Sequence, residues 1–319
     1  MKKLISRIKP EDRPIYTSLA FVAVILAIGT GYTLATQGTA PLLSPGYLLQ
    51  QLQTGAFLGI VAAGMMVVIL LGNIDLSVPW TLTAAAMMGA AVGGPMALPI
   101  AILIGIVVGL VNGLGVAYLR IPSMIFTLGV DSVLRGLMVA HTGGFAPQDQ
   151  ATPIMRFLAA DRVLGIPAAI FVWAAVSVVI AVMLKRTAFG RSIYATGNRE
   201  AAAYLSGIRT RLVIVGAFVT SGVCAAVAGV LLTGYSNKAY QGMGNEFLLP
   251  AIAAVVIGGT HILGGQGRYI GTLIGVILIV LLKSVLSIMQ MPEAGRQVIY
   301  GAVIITMLLF YARGRKIVG

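Results

Sequence analysis

The chain has 319 residues, of which 58% are hydrophobic and 10% charged, with a mean hydropathy of +0.97. A soluble domain carries about 25% charged residues, so this composition excludes a water-soluble globule and makes lipid the solvent for most side chains. The net charge of +13, from 22 Lys+Arg against 9 Asp+Glu, would suggest nucleic acid in a soluble protein, but here the cations gather in a few loops between apolar runs. One cysteine, Cys224, and two histidines, His141 and His261, exclude an internal disulfide and argue against a built metal site. Neither a metal nor a cofactor is expected.

A bilayer core about 30 Å thick asks for about 20 apolar residues per helix. The first charge-poor run, 15–35, follows Lys2, Lys3, Arg7, Lys9 and Arg13, which holds the N-terminus in the cytoplasm. Its length, and the lack of a small-x-small site after it, favour a retained first helix over a cleaved signal peptide. Nine further runs follow at 55–71, 78–92, 98–119, 121–140, 164–184, 212–234, 247–259, 270–282 and 298–311. The reading is an all-α integral membrane protein of about ten helices. An even count puts both termini on one side, and Arg313, Arg315 and Lys316 make that side cytoplasmic. The same side receives Arg120 and the loop carrying Lys185, Arg186, Arg191, Arg199, Arg209 and Arg211, whereas the opposite loops hold only Arg156, Arg162, Lys238 and Arg296. The whole chain, 1–319, reads as one transmembrane domain with cytoplasmic tails at 1–14 and 313–319 and a cytoplasmic loop at 185–211.

Two places break the apolar pattern. The run 247–259 is too short to span and leads into Gly258, Gly259, Thr260, Gly264, Gly265 and Gly267. Non-helical backbone survives at membrane depth only inside protein or along a wet cavity, so a broken or re-entrant element near 258–268 is expected. The second run ends similarly in Gly72, Asn73, Ile74, Asp75, Leu76 and Ser77, and the stretch from Val68 to Asn73 echoes that from Val255 to Thr260. Such an echo is what an internal repeat leaves in a transporter.

An ionisable group inside a span costs at least about 2.5–3.5 kcal/mol and needs a partner or water. Asp131 and Arg135 are four apart, so they share a helix face and are expected to form a structural ion pair. Asp75 has no cation near it in sequence; it lies at the interface, caps the next helix near Ser77, or lines a cavity. Asn112, among small residues, is placed to hydrogen-bond between helices. Asn73, Asp75 and Asn112 are the candidates for polar groups near a pathway. There is no nucleotide-binding G-x-x-x-x-G-K-[ST] loop and no hydrolase or protease motif, so the chain is not expected to be an enzyme.

In the cytoplasmic loop, Asn198 is a plausible N-cap, Glu200 to Leu205 favours helix, and Gly207 is a natural stop. The segment Gly-Asn-Arg-Glu-Ala-Ala-Ala-Tyr-Leu-Ser-Gly-Ile at 197–208 resembles the coupling loop of permease subunits in ATP-binding-cassette importers of the ribose, xylose and arabinose type. The stretch 72–77 resembles that family's Gly-Gly-Ile-Asp-Leu-Ser element. Residues 121–136 resemble its Pro-to-Thr-Leu-Gly-to-Arg-Gly stretch, and 258–267 its Gly-Gly-Thr-x-x-x-Gly-Gly-x-Gly element. Asn73 in place of the second Gly, Pro79 after Ser77, and Asp131 at a usually neutral position are departures.

The resemblance implies a permease that forms a path for a monosaccharide or polyol. It implies two permease subunits, cytoplasmic ATPase subunits docked on Asn198, Arg199, Glu200, Ala201, Ala202 and Gly207, and an external sugar-binding protein docked on the loops 148–162 and 238–246. It implies a bacterial plasma-membrane location. The alternatives are a branched-chain amino-acid permease of the same architecture and an ion-coupled secondary transporter.

Overall fold

The computed structural model describes residues 13–145, 147–292, 294–299, 301, 302 and 305. Most of the tenth run, 298–311, the cations before Arg13 and the tail 313–319 lie outside the described residues. The helices, in chain order, are α1 (Arg13–Gln37), α2 (Pro45–Ile69), α3 (Val78–Val92), α4 (Ala97–Tyr118), α5 (Ser123–His141) and α6 (Pro153–Ala159). They continue as α7 (Ala168–Arg186), α8 (Ala188–Asn198), α9 (Glu200–Leu205), α10 (Thr210–Ser236), α11 (Leu248–Ile257) and α12 (Tyr269–Ile288). Seven of these, α1, α2, α4, α5, α7, α10 and α12, are long and apolar enough to cross a bilayer, and α3 and α11 are shorter apolar helices.

Several boundaries follow local chemistry that apolar runs alone do not show. α2 begins ten residues before the run at 55–71, because Ser44 caps it, accepting from the Tyr47 N–H at 3.3 Å, with Pro45 at its first turn. In the segment between α5 and α7, Thr152 caps α6 in the same way ahead of Pro153. A two-residue hairpin, Arg162–Val163 against Ile166–Pro167, turns at Leu164 and Gly165 and delays α7 to Ala168.

α2 is the central post, buried continuously from Gly55 to Ile69, with α7, α10, α11 and α12 arranged around it. α4 and α10 pack most closely. A Cβ on Gly109 would stand 2.6 Å from Phe218 O and one on Gly113 2.6 Å from Val215 Cα, while Gly105 and Gly222 leave no room for one at all. Lipid supplies no hydrophobic drive between helices, so close backbone approach at small residues replaces it. α1 and α5 lie at the edge, with 11% and 17% of their apolar windows buried.

The sequence echo is reproduced in three dimensions. At the end of α2 the Asn73 N–H donates to Val68 O at 3.3 Å and the Gly72 N–H to Ile69 O at 2.8 Å. At the end of α11 the Thr260 N–H donates to Val255 O at 3.2 Å and the Gly259 N–H to Val256 O at 2.9 Å. Gly72 (φ +73°) and Gly259 (φ +90°) take the left-handed position, so both helices stop in the same Schellman motif at matching residues.

Candidate functional site

After Gly72 the chain runs as non-helical backbone into α3, and side chains of neighbouring helices satisfy it. The Ile74 N–H donates to Ser123 Oγ at 3.3 Å and the Leu76 N–H to Thr127 Oγ1 at 2.9 Å, both on α5. This is the condition under which open backbone is tolerated at membrane depth.

Asp75 lies at the middle of this segment and is 1% exposed. Its carboxylate accepts from Ser77 Oγ (2.7 Å), the Ser77 N–H (3.0 Å), Ser221 Oγ (2.8 Å) and Asn112 Nδ2 (3.4 Å). Asn112 also donates to Ser77 Oγ at 2.7 Å, and its Oδ1 is buried without a partner. Asp75 thus braces the entry to α3, and the hydrogen bond expected of Asn112 runs from α4 to the 73–77 segment. The cluster ties that segment to α4, α5 and α10. Ser221 completes it and carried no signal in sequence: a serine in an apolar helix most often bonds its own turn.

Asn73 lies outside the cluster. It lines a recess of about 230 Å³ at the ends of α4 and α5, together with Arg120, Pro122, Ser123, Thr196 and Glu200. Asp131 and Arg135 converge on Trp80. The Trp80 N–H donates to the Asp131 carboxylate at 3.3 Å, and the Arg135 guanidinium lies over the indole, 6.0 Å from its centroid. The expected direct pair is therefore spread over the first turn of α3, which offers Asp131 a free N–H.

The loop 185–211 folds as two helices rather than one. Asn198 is the last residue of α8, not an N-cap; Arg199, extended at φ −160°, precedes α9. The shift by one residue puts Glu200 in the first turn of α9, where the helix dipole favours a carboxylate. Arg120 Nη1 reaches Glu200 Oε1 at 3.0 Å and Thr210 Oγ1 donates to the same oxygen at 3.2 Å, so the carboxylate fastens α9 to the ends of α4 and α10. Arg211 stacks over Tyr118, 5.2 Å from the ring centroid. Ala201 and Ala202 occupy the next positions of α9, and Gly207 (φ +83°) ends it, its N–H donating to Tyr204 O at 3.0 Å.

Gly258, Gly259, Thr260, Gly264, Gly265 and Gly267 form a compact loop between α11 and α12, beside α8. The Gly265 N–H donates to Leu70 O at 2.9 Å, and the Tyr194 hydroxyl of α8 donates to Gly267 O at 2.9 Å. Burial pushes the Tyr194 phenol up from its ordinary pKa, against the pull of Arg268, which keeps it a donor.

At the other end of the molecule the loops 142–151 and 237–241 are joined. The Ala151 N–H donates to Asn237 O at 2.9 Å, Gln150 bridges Lys238, and Gln241 Nε2 donates to Thr142 Oγ1 at 2.8 Å. The segments 148–162 and 238–246 therefore share one surface.

Residues 47–308 match the model of the family described as branched-chain amino acid transport system / permease component. The chain is 37% identical over 273 residues to the ribose import permease protein of Bacillus subtilis, covering 84% of this chain and 85% of that protein. It is 33% identical over 314 residues to the ribose import permease protein of Haemophilus influenzae, covering 96% and 94%. It is 34% identical over 278 residues to the autoinducer 2 import system permease protein of Salmonella choleraesuis, covering 86% and 80%. No solved structure matches. Family match, apolar spans and polar core agree, and the chain belongs to the multi-pass permease components of the branched-chain amino acid transport system type.

Proposed function

We propose that this chain is the permease subunit of a sugar importer of the ATP-binding-cassette class, carrying a monosaccharide or related polyol across the plasma membrane. Its partners are cytoplasmic ATPase subunits, a second permease copy or homologue, and an external sugar-binding protein. The chain crosses the bilayer about ten times, with both termini cytoplasmic. The observation that carries the reading is the α8–α9 unit. It is fastened by Glu200 to Arg120 and Thr210, and it is seated on the end of α2 and on the loop between α11 and α12, the arrangement by which a soluble motor can move a bundle. The relatives named for ribose favour sugar over a branched-chain amino acid.

Asn73, on the cytoplasmic recess, is the group placed to meet sugar, while Asp75 and Asn112 hold the wall behind it. The ATPase docks on Asn198–Gly207, and the binding protein on the joined loops 148–162 and 238–246. In proteoliposomes holding the full complex, ribose-loaded binding protein is expected to stimulate ATP hydrolysis and uptake in the wild type, and Glu200→Ala and Gly207→Val to abolish both at normal assembly. Survival of both activities in those variants would exclude the docking site. Competition of uptake by leucine rather than by sugars would exclude the substrate class, and uptake by this chain alone under an ion gradient would exclude the ATPase partner.

A further inference from the structure

The end of α2, the loop after α11 and the cytoplasmic unit meet at one place, through main-chain atoms. The bond from the Gly265 N–H to Leu70 O joins the loop after α11 to the end of α2. A Cβ on Gly264 would stand 2.7 Å from Gly72 N, 2.9 Å from Leu70 O and 3.0 Å from Gly197 O. A Cβ on Gly265 would stand 2.8 Å from Asn198 Cα. A Cβ on Gly197, in the last turn of α8, would stand 2.9 Å from Gly265 N and would collide with Leu70 O. One turn earlier, Tyr194 bonds Gly267 O. Side chains can hop between rotamers and absorb a displacement; backbone packed on backbone cannot, and passes it on.

We infer that Gly197 is a positioning residue, whose missing side chain lets the end of α8 bear directly on Leu70 and Gly265, so that one movement of the cytoplasmic unit drives α2 and the loop between α11 and α12 together. Through residues 73–77 the same movement reaches the Asp75 cluster. The inference rests on the reading of Asn198–Gly207 as the ATPase contact, and it goes beyond that reading by naming where the force enters the bundle.

The test measures ribose taken up per ATP hydrolysed, at equal amounts of assembled complex in proteoliposomes. Gly197→Ala is expected to lower that ratio about fivefold or more, the lower end of an ordinary coupling free energy. Tyr194→Phe keeps the ring and loses one bond, and is expected to lower the ratio by a smaller factor. Ser192→Ala, which loses only a bond within α8, leaves it unchanged. A merely structural defect would lower the amount of complex and leave the ratio alone. If Glu200→Ala abolishes ATP hydrolysis and uptake while Gly197→Ala and Tyr194→Phe keep the wild-type ratio, the junction is not the point of transmission and the docking reading stands. If Glu200→Ala also keeps both activities, the docking reading fails with it. Should Gly197→Ala not assemble, Tyr194→Phe decides by the same criterion.

Discussion

Asp75 is an acidic side chain buried among apolar helices, and a buried polar group is tolerated only when its hydrogen bonds are made. Its four donors, from Ser77, Ser221 and Asn112, are all neutral, so the site stands or falls on their number and geometry. Ser221→Ala removes one of these hydrogen bonds, a loss of about 0.5–1.5 kcal/mol. Asp75→Ala strands several donors at once, each unsatisfied group costing about 1–3 kcal/mol, so it is expected to lower the thermal midpoint in detergent well below that of Ser221→Ala. Equal midpoints would mean that the carboxylate is not the hub. The sequence makes Asp75, Ser77 and Asn112 visible as polar residues in an apolar chain. It cannot show Ser221, which lies 146 residues from Asp75 and is brought there by the packing of α10 on α3 and α4. The bond between Arg120 and Glu200 is hidden for the same reason.

Among the elements, the α4–α10 seam shows what replaces the hydrophobic effect where the solvent is lipid. Gly109 meets the backbone of Phe218 and Val219, so no rotamer of a larger residue fits, and forced overpacking costs about 1–3 kcal/mol or more. Gly109→Leu is therefore expected to disperse or aggregate on size exclusion. Gly31→Ala in α1, where a Cβ would meet nothing within 4 Å, is expected to remain monodisperse, and to gain if anything from the better helix former. Similar behaviour of the two variants would rule out the seam. The short helix α11 is legible from run length and glycine, whereas α3 reads as one more span, and the echo between Val68–Asn73 and Val255–Thr260 marks two equivalent stops. The division of the loop 185–211 into α8 and α9 is not legible. Asn198 reads as a cap by residue type, but the packing of Gly197 and Asn198 against Leu70 and Gly265 keeps both inside α8 and passes the break to Arg199.

At the scale of the whole molecule, α5 is the span whose surroundings are incomplete. Only Ser123, Thr127 and Met138 of α5 are buried, yet it carries Asp131 and Arg135 in its middle, and a lipid-facing Arg costs about 2.5–3.5 kcal/mol at a helix centre. The stack of Arg135 on Trp80 offsets a part of that, since a cation over an indole contributes about 0.5–2 kcal/mol. The remainder calls for water or protein on the outer face of α5, which the proposed second permease copy would supply. The two arrangements give opposite signs for one substitution. With lipid outside α5, Arg135→Leu removes a cost and raises the thermal midpoint. With a wet path or a second copy there, Arg135→Leu gives no gain in stability and lowers sugar uptake per complex, which is the expected outcome in the same proteoliposomes. A more stable variant with full transport would put α5 against lipid and require the two copies to meet on another face.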